Sequence, residues 1–223
     1  MSKGTMRTMT MADGVGLGVY HVAAEGVRRG GLVLIQEIFG ITEHIKDCCD
    51  GYAADGYEVL APALFDRQAP GFVSGYTSEE MQKGAALAYG APIESRVADV
   101  QVCIDVLSGP VFIVGYCFGG SVVYAAACRC DGLAAASSYY GRMVPTDLIE
   151  ETPKCPTICH FGKSDAGIPL DGVKKFAARH PEATVYLYDA GHGFNSDRPT
   201  HHDAASAKLA RERTIALFRA NET

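Results

Sequence analysis

No apolar run in this 223-residue chain approaches the ~20 residues needed to cross a bilayer, and no basic run interleaved with aromatics occurs. The formal net charge of -6 excludes nucleic acid and acidic membrane surfaces as natural partners, because neither is drawn to a net acidic protein. Residues 1–20 hold methionines but no coherent apolar segment with a small-residue cleavage site, so no secretory signal is expected. Linkers, low-complexity tracts, charge blocks and internal repeats are also missing, and one domain over residues 1–223 is the expectation. Eight cysteines are present, yet none forms a C-x-x-C pair. Cys48 and Cys49 are adjacent, Cys128 and Cys130 lie one residue apart, and Cys155 and Cys159 bracket a proline. That spacing fits neither a zinc knuckle nor a disulfide framework. Most of these thiols read as small core residues in a reducing compartment, with the cytoplasm as the expected location. No metal or organic cofactor is implied.

What the chain does have is ordinary core material, 48% apolar and 21% charged. Short apolar runs at Val15–Val22, Leu32–Ile35, Tyr57–Ala61, Val111–Gly115, Ala134–Tyr140, Thr157–Gly162 and Thr184–Tyr188 read as strands. Between them lie helical stretches: from Thr42 to before Gly56, Ser121–Arg129, Leu170–His180 and Asp203–Ala220. Ile93, Val97, Val100, Ile104 and Leu107 recur at helical spacing, with Pro92 at the start and Gly109-Pro110 at the end. Residues 67–78, with Pro70, Gly71, Ser74 and Gly75, read as an exposed loop. Strands alternating with helices predict an α/β fold around a doubly wound, mostly parallel sheet with helices on both faces. Ligands of such sheets sit beyond the carboxyl ends of the strands.

Gly115-Tyr116-Cys117-Phe118-Gly119-Gly120 joins a strand to a helix and has the form of a nucleophile elbow with cysteine in place of serine. So tight a turn strains its central residue and requires neighbours without side chains. The amides that follow favour both a thiolate and an oxyanion. The bland alternative is a buried cysteine in a glycine-rich turn. Three more polar residues follow strands: Glu37, Asp165 and His192. Cys117, Asp165 and His192 run in the chain order nucleophile, acid, histidine. His192 lies in Gly191-His192-Gly193, which leaves its ring room to swing over a strand end, whereas His201 and His202 read as solvent-facing. Lys163-Ser164-Asp165 also fits a plain turn, and Glu37 a plain loop carboxylate.

Gln36-Glu37-Ile38-Phe39-Gly40, the Cys117 elbow, Tyr139-Tyr140-Gly141 and Gly191-His192-Gly193-Phe194 together resemble the dienelactone hydrolase (carboxymethylenebutenolidase) family, within the α/β-hydrolase superfamily. Arg67-Gln68-Ala69-Pro70-Gly71 is similar to that family as well. The resemblance implies an α/β-hydrolase fold, with Cys117 as nucleophile, His192 as base and Asp165 orienting the ring. It places Glu37 against the resting thiol, and the Ile38 and Phe118 backbone amides in an oxyanion hole. The implied reaction opens a small lactone or ester through a cysteine acyl-enzyme, in a monomer or weak homodimer. Two arginines hold the substrate carboxylate in that family. Here one of those positions falls at Gln82-Lys83 and the other at Ser196, with Arg198 two residues on. Lys83 or Arg198 is left to supply the charge, and Tyr76, Phe72 and Phe194 to line a pocket. Two other readings stay open. A glutamine amidotransferase-like enzyme would need a glutamate where Phe194 stands, and a redox sensor would oxidise Cys117, with Cys128 or Cys159 as resolving thiol.

Overall fold

The computed structural model describes residues 3–223. Strands β1 (Thr5–Thr10) and β2 (Gly16–Val22) form a hairpin, followed by β3 (Gly30–Ile35), α1 (Glu43–Ala54), β4 (Tyr57–Pro62), α2 (Ser78–Tyr89) and α3 (Ile93–Asp105). Then come β5 (Val111–Tyr116), α4 (Phe118–Arg129), β6 (Leu133–Tyr139), β7 (Thr157–Gly162), α5 (Leu170–Arg179), β8 (Ala183–Tyr188) and α6 (Ala204–Arg219). All eight strands belong to one sheet, in the order β1-β2-β4-β3-β5-β6-β7-β8. β1 with β2 and β2 with β4 are antiparallel, and every other pair is parallel. β3, β5 and β7 are buried along their whole length, the result expected of continuous apolar runs covered by helices on both faces. No helix among the described residues is long and apolar enough to cross a membrane.

From β3 the chain steps outward to β4, then crosses back over β3 to enter β5 on its other side. The direction of winding therefore reverses between β3 and β5, which is where doubly wound sheets open a crevice at their carboxyl ends. Glu37 and Cys117 follow these two strands.

Several helices begin where side-chain chemistry favours a cap. Thr42 Oγ1 accepts from the Ile45 amide, Asp203 accepts from the Ser206 amide, and Thr77 and Glu80 form a reciprocal capping box. The final helix is anchored by Phe218, whose ring stacks on Phe112 at 4.7 Å and meets Tyr57 edge-on.

Two elements carry no periodic signal in the sequence. β1 is an edge strand with nearly every residue exposed, so no apolar alternation marks it. α2 buries only Gly84 and Ala88, residues too small to draw an apolar seam, and its legible mark is the Thr77–Glu80 capping box. It occupies residues just after the stretch read as loop. α4 begins at Phe118 rather than Ser121, directly after the cysteine. Leu107 lies past the end of α3 but still packs into the core.

Candidate active site

The elbow is built from close backbone approach. Cys117 sits at φ 56 and ψ -116, in the left-handed half of backbone space that costs a non-glycine residue ~1–3 kcal/mol. A Cβ on Gly115 would lie 2.6 Å from the Gly119 carbonyl oxygen, and one on Gly119 would lie 2.5 Å from the Gln36 and Ile35 oxygens. The glycines thus let α4 press against the end of β3. The Cys117 amide donates to the Tyr139 carbonyl at 3.0 Å, tying the turn to β6. Tyr140, the next residue of that strand end, is also at positive φ (37), and its ring meets His192 edge-on at 5.1 Å.

Strand ends bring three groups together. His192 Nε2 stands 3.1 Å from Cys117 Sγ, and the opposite ring nitrogen, Nδ1, donates to Asp165 Oδ2 at 2.6 Å. The second Asp165 oxygen accepts from the Gly167 amide at 2.8 Å, so the carboxylate is fixed by its own turn as well as by the imidazole. Asp165 has 1% of its side chain exposed and His192 38%, a buried anchor beneath a ring that reaches the surface. Burial alone would lower the His192 pKa. The Cys117 sulfur and the Asp165 carboxylate outweigh it and push the ring up to about 10.

Glu37 is buried beside this group, and burial raises its carboxyl to about 7, with His192 and Arg198 pulling down and Asp197 pushing up. The Cys117 sulfur partners His192, and no hydrogen bond joins it to Glu37. A carboxyl whose folded pKa exceeds the unfolded value of 4.5 destabilises the fold as pH rises from 4.5 through 7, by on the order of 3 kcal/mol once fully ionised. Glu37→Gln is therefore expected to melt higher than the wild type at pH 8 and to lose that advantage toward pH 4.5. Thermal melts across that range measure it.

A cleft of about 540 Å³ opens over the sulfur, walled by Ile38, Ala85, Tyr89, Cys117, Arg142, Ser164, His192 and His201, among others. Of the two residues whose amides the resemblance assigns to an oxyanion hole, Ile38 lies on the cleft wall and Phe118 is buried at the first turn of α4. The remaining sequence candidates do not line it. Lys83 pairs with Glu79 one turn back on the exposed face of α2. Arg198 stacks over Tyr76 at 4.9 Å and Phe39 at 5.9 Å, and the Tyr76 hydroxyl donates to Asp197 at 2.6 Å. These side chains strap the 72–77 segment to the histidine loop. Phe194 is fully buried against Tyr140 and Tyr188, and Phe72 packs on Phe65.

Conversely, His201 lies on the wall rather than in solvent, and Arg142 is a cationic wall residue that the sequence reading passed over. Arg142 forms no ion pair among the described residues. It follows β6, so the question asked of the other strand ends would have found it. No group of three His, Cys, Asp or Glu residues among the described residues is arranged to hold a metal.

Residues 17–221 match the model of the dienelactone hydrolase family. Among curated proteins, a "Putative carboxymethylenebutenolidase" of Synechocystis sp. is 30% identical, the alignment covering 93% of this chain and 89% of the relative. One of the same description from Azospirillum brasilense is 32% identical over 85% of this chain and 86% of its own. The crystal structure of a "Putative Dienelactone Hydrolase" from Klebsiella pneumoniae subsp. pneumoniae superposes with a TM-score of 0.83 at 26% identity, covering 97% of this chain and 98% of the other.

Proposed function

The chain belongs to the dienelactone hydrolase family, and from that premise we propose that it hydrolyses a small lactone or ester through a thioester on Cys117. The observation that carries this reading is the single line Cys117 Sγ–His192 Nε2–Asp165 Oδ2, with links of 3.1 Å and 2.6 Å at the mouth of a cleft. The imidazole, pushed up to about 10 by the Cys117 sulfur and the Asp165 carboxylate, is the base within reach of the sulfur and takes its proton as the sulfur attacks. Asp165 holds Nδ1–H and supports the charged ring.

Sulfur adds to the substrate carbonyl carbon, and the electron pair of the C=O bond moves to oxygen. The Ile38 and Phe118 amides are assigned to that developing oxyanion, each such donor contributing ~10²–10³ in rate. Collapse breaks the bond to the ring or ester oxygen, which takes its proton from His192 and leaves a thioester. Water, giving its proton to His192, then adds to the thioester carbonyl, and the sulfur departs. Glu37, its carboxyl raised to about 7 by burial, adds a charge that bears on His192 from within the fold. Thiolate is a better leaving group than alkoxide, so acylation reverses unless the released oxygen stops being a nucleophile. The alcohol of an ester diffuses away, whereas the tethered oxygen of an opened lactone must be protonated by His192 or, where it is an enol oxygen, tautomerise to a ketone.

Arg142 carries the specificity reading: an unpaired guanidinium on the cleft wall favours a substrate with a carboxylate of its own. All eight cysteines are free thiols, which suits a reducing, cytoplasmic setting. Steady-state hydrolysis of matched neutral and carboxylate-bearing aryl esters tests the reading. Wild type should turn over both with saturation, and Arg142→Gln should raise KM about tenfold for the anionic ester alone. No saturable hydrolysis of any ester or lactone would count against the enzyme, and an equal change for both esters against Arg142.

A further inference from the structure

α2 is the element of this fold whose purpose is least evident from its sequence. Its middle carries Gly84, and glycine inside a helix is disfavoured relative to alanine unless packing requires it. Packing does require it here. A Cβ at position 84 would overlap the Ile38 carbonyl oxygen, closer than any real Cβ approaches backbone, and would press tightly on its carbon. The other side of the same loop is equally confined. Gly40 bridges to Val73, the Ser74 amide donates to the Phe39 carbonyl at 3.0 Å, and a Cβ on Gly40 would overlap the Phe72 carbonyl. Ile38-Phe39-Gly40 is thus gripped between α2 and residues 72–74.

The last residue of α2 reaches the side chain of the second donor residue. Tyr89 meets the Phe118 ring edge-on at 5.9 Å, and α2 also contributes Ala85 to the cleft wall. The helix is fixed in turn from below by Arg96, fully buried, which donates to the Leu87 carbonyl on α2 and to the Leu64 carbonyl after β4. One helix therefore touches both residues whose amides are assigned to the oxyanion hole, and touches neither Cys117 nor His192 by any hydrogen bond.

We infer that Gly84 is a positioning residue: by letting α2 seat against the Ile38 carbonyl and Cβ, it fixes the place of Ile38 and, through its Cα, the preceding peptide whose N–H is assigned to the oxyanion hole. The inference rests on the thioester reading above and on Ile38 and Phe118 as the donors. It separates two chemistries at one sulfur. Ester hydrolysis passes through a tetrahedral oxyanion and needs the amides. Alkylation by iodoacetamide displaces iodide at a saturated carbon, needs only the activated sulfur, and leaves the oxyanion hole unused.

The experiment compares kcat for an aryl acetate with the rate of Cys117 alkylation in wild type, Gly84→Ala and Tyr89→Ala, with Cys117→Ala as the blank. Gly84→Ala should lower kcat about 10- to 100-fold, a share of what a lost oxyanion donor costs. KM and the alkylation rate should stay within about twofold. Tyr89→Ala changes a half-exposed ring and leaves the helix backbone untouched. It should lower kcat about 3- to 10-fold relative to alkylation, since its place on the cleft wall alters access to the sulfur for both reactions alike. It decides the matter if Gly84→Ala does not fold. An unchanged ratio of kcat to alkylation rate in either folded variant overturns the inference, including a parallel fall in both, which would mean that the sulfur–imidazole pair had moved. Were wild type itself inactive toward esters, the thioester reading would fall and this one with it. Cys117-dependent wild-type turnover alongside a fully active Gly84→Ala would remove this inference alone.

Discussion

Replacing Cys117 with alanine is expected to cut ester hydrolysis by at least about 10⁴-fold while leaving the melting temperature nearly unchanged. The loss is large because in the proposed mechanism the sulfur is the bond-forming atom, and once it is gone only binding and the assigned oxyanion donors would remain. The fold should tolerate the change because the backbone contacts of the elbow belong to Gly115, Gly119 and the Cys117 amide, none of which the substitution alters. Alanine meets the same strain at φ 56 as cysteine does. Steady-state rates and a thermal melt of the same preparation check both halves. Cys48 is the internal control: partly buried against the core, with its thiol pushed up to about 12 by burial first and the Glu37 charge second, it should take no part in turnover. Cys48→Ala should hydrolyse esters at the wild-type rate.

Asp165→Asn is expected to lower kcat about 10³- to 10⁴-fold with KM little changed. The amide preserves the shape of the turn but removes the charge that steadies the imidazolium, and it can present N–H to the ring nitrogen and favour the wrong tautomer. A second, independent signature follows from the His192 pKa. Asp165 is among the groups that hold the ring up, so without it the ring gives up its proton at lower pH. The active pair needs that proton on the imidazole, and the alkaline limb of kcat/KM should therefore move to lower pH in Asp165→Asn. A merely structural role for Asp165 would lower activity without displacing the limb. Profiles of kcat/KM from pH 6 to pH 10 distinguish the two.

Much of this site is legible in sequence because backbone dictates it. β3 and β5 carry continuous apolar runs, so the residues after them are fixed at the crevice, and the elbow glycines leave Cys117 only one kind of turn. The Gly191–Gly193 bracket similarly marks His192, and the position after β7 marks Asp165. Long side chains at the rim follow no such rule, since their direction depends on partners brought by other elements. Lys83 is drawn to Glu79 along its own helix, and Arg198 is drawn onto the Tyr76 ring from a segment more than a hundred residues away in sequence. Neither partner can be deduced from local pattern. Arg142 is the reverse case, an unremarked exposed residue on the cleft wall that forms no ion pair among the described residues. α2 was hidden for a third reason: a helix that buries glycine and alanine against a loop backbone leaves no apolar period to read.

The most direct measurement is intact-protein mass spectrometry after rapid acid quench of wild type mixed with an activated aryl acetate, for which acylation outpaces deacylation. The account predicts a transient gain of one acetyl mass, mapped by peptide digestion to Cys117, that decays at the steady-state turnover rate. Turnover with no adduct at any time, or an adduct carried by another cysteine, would contradict it.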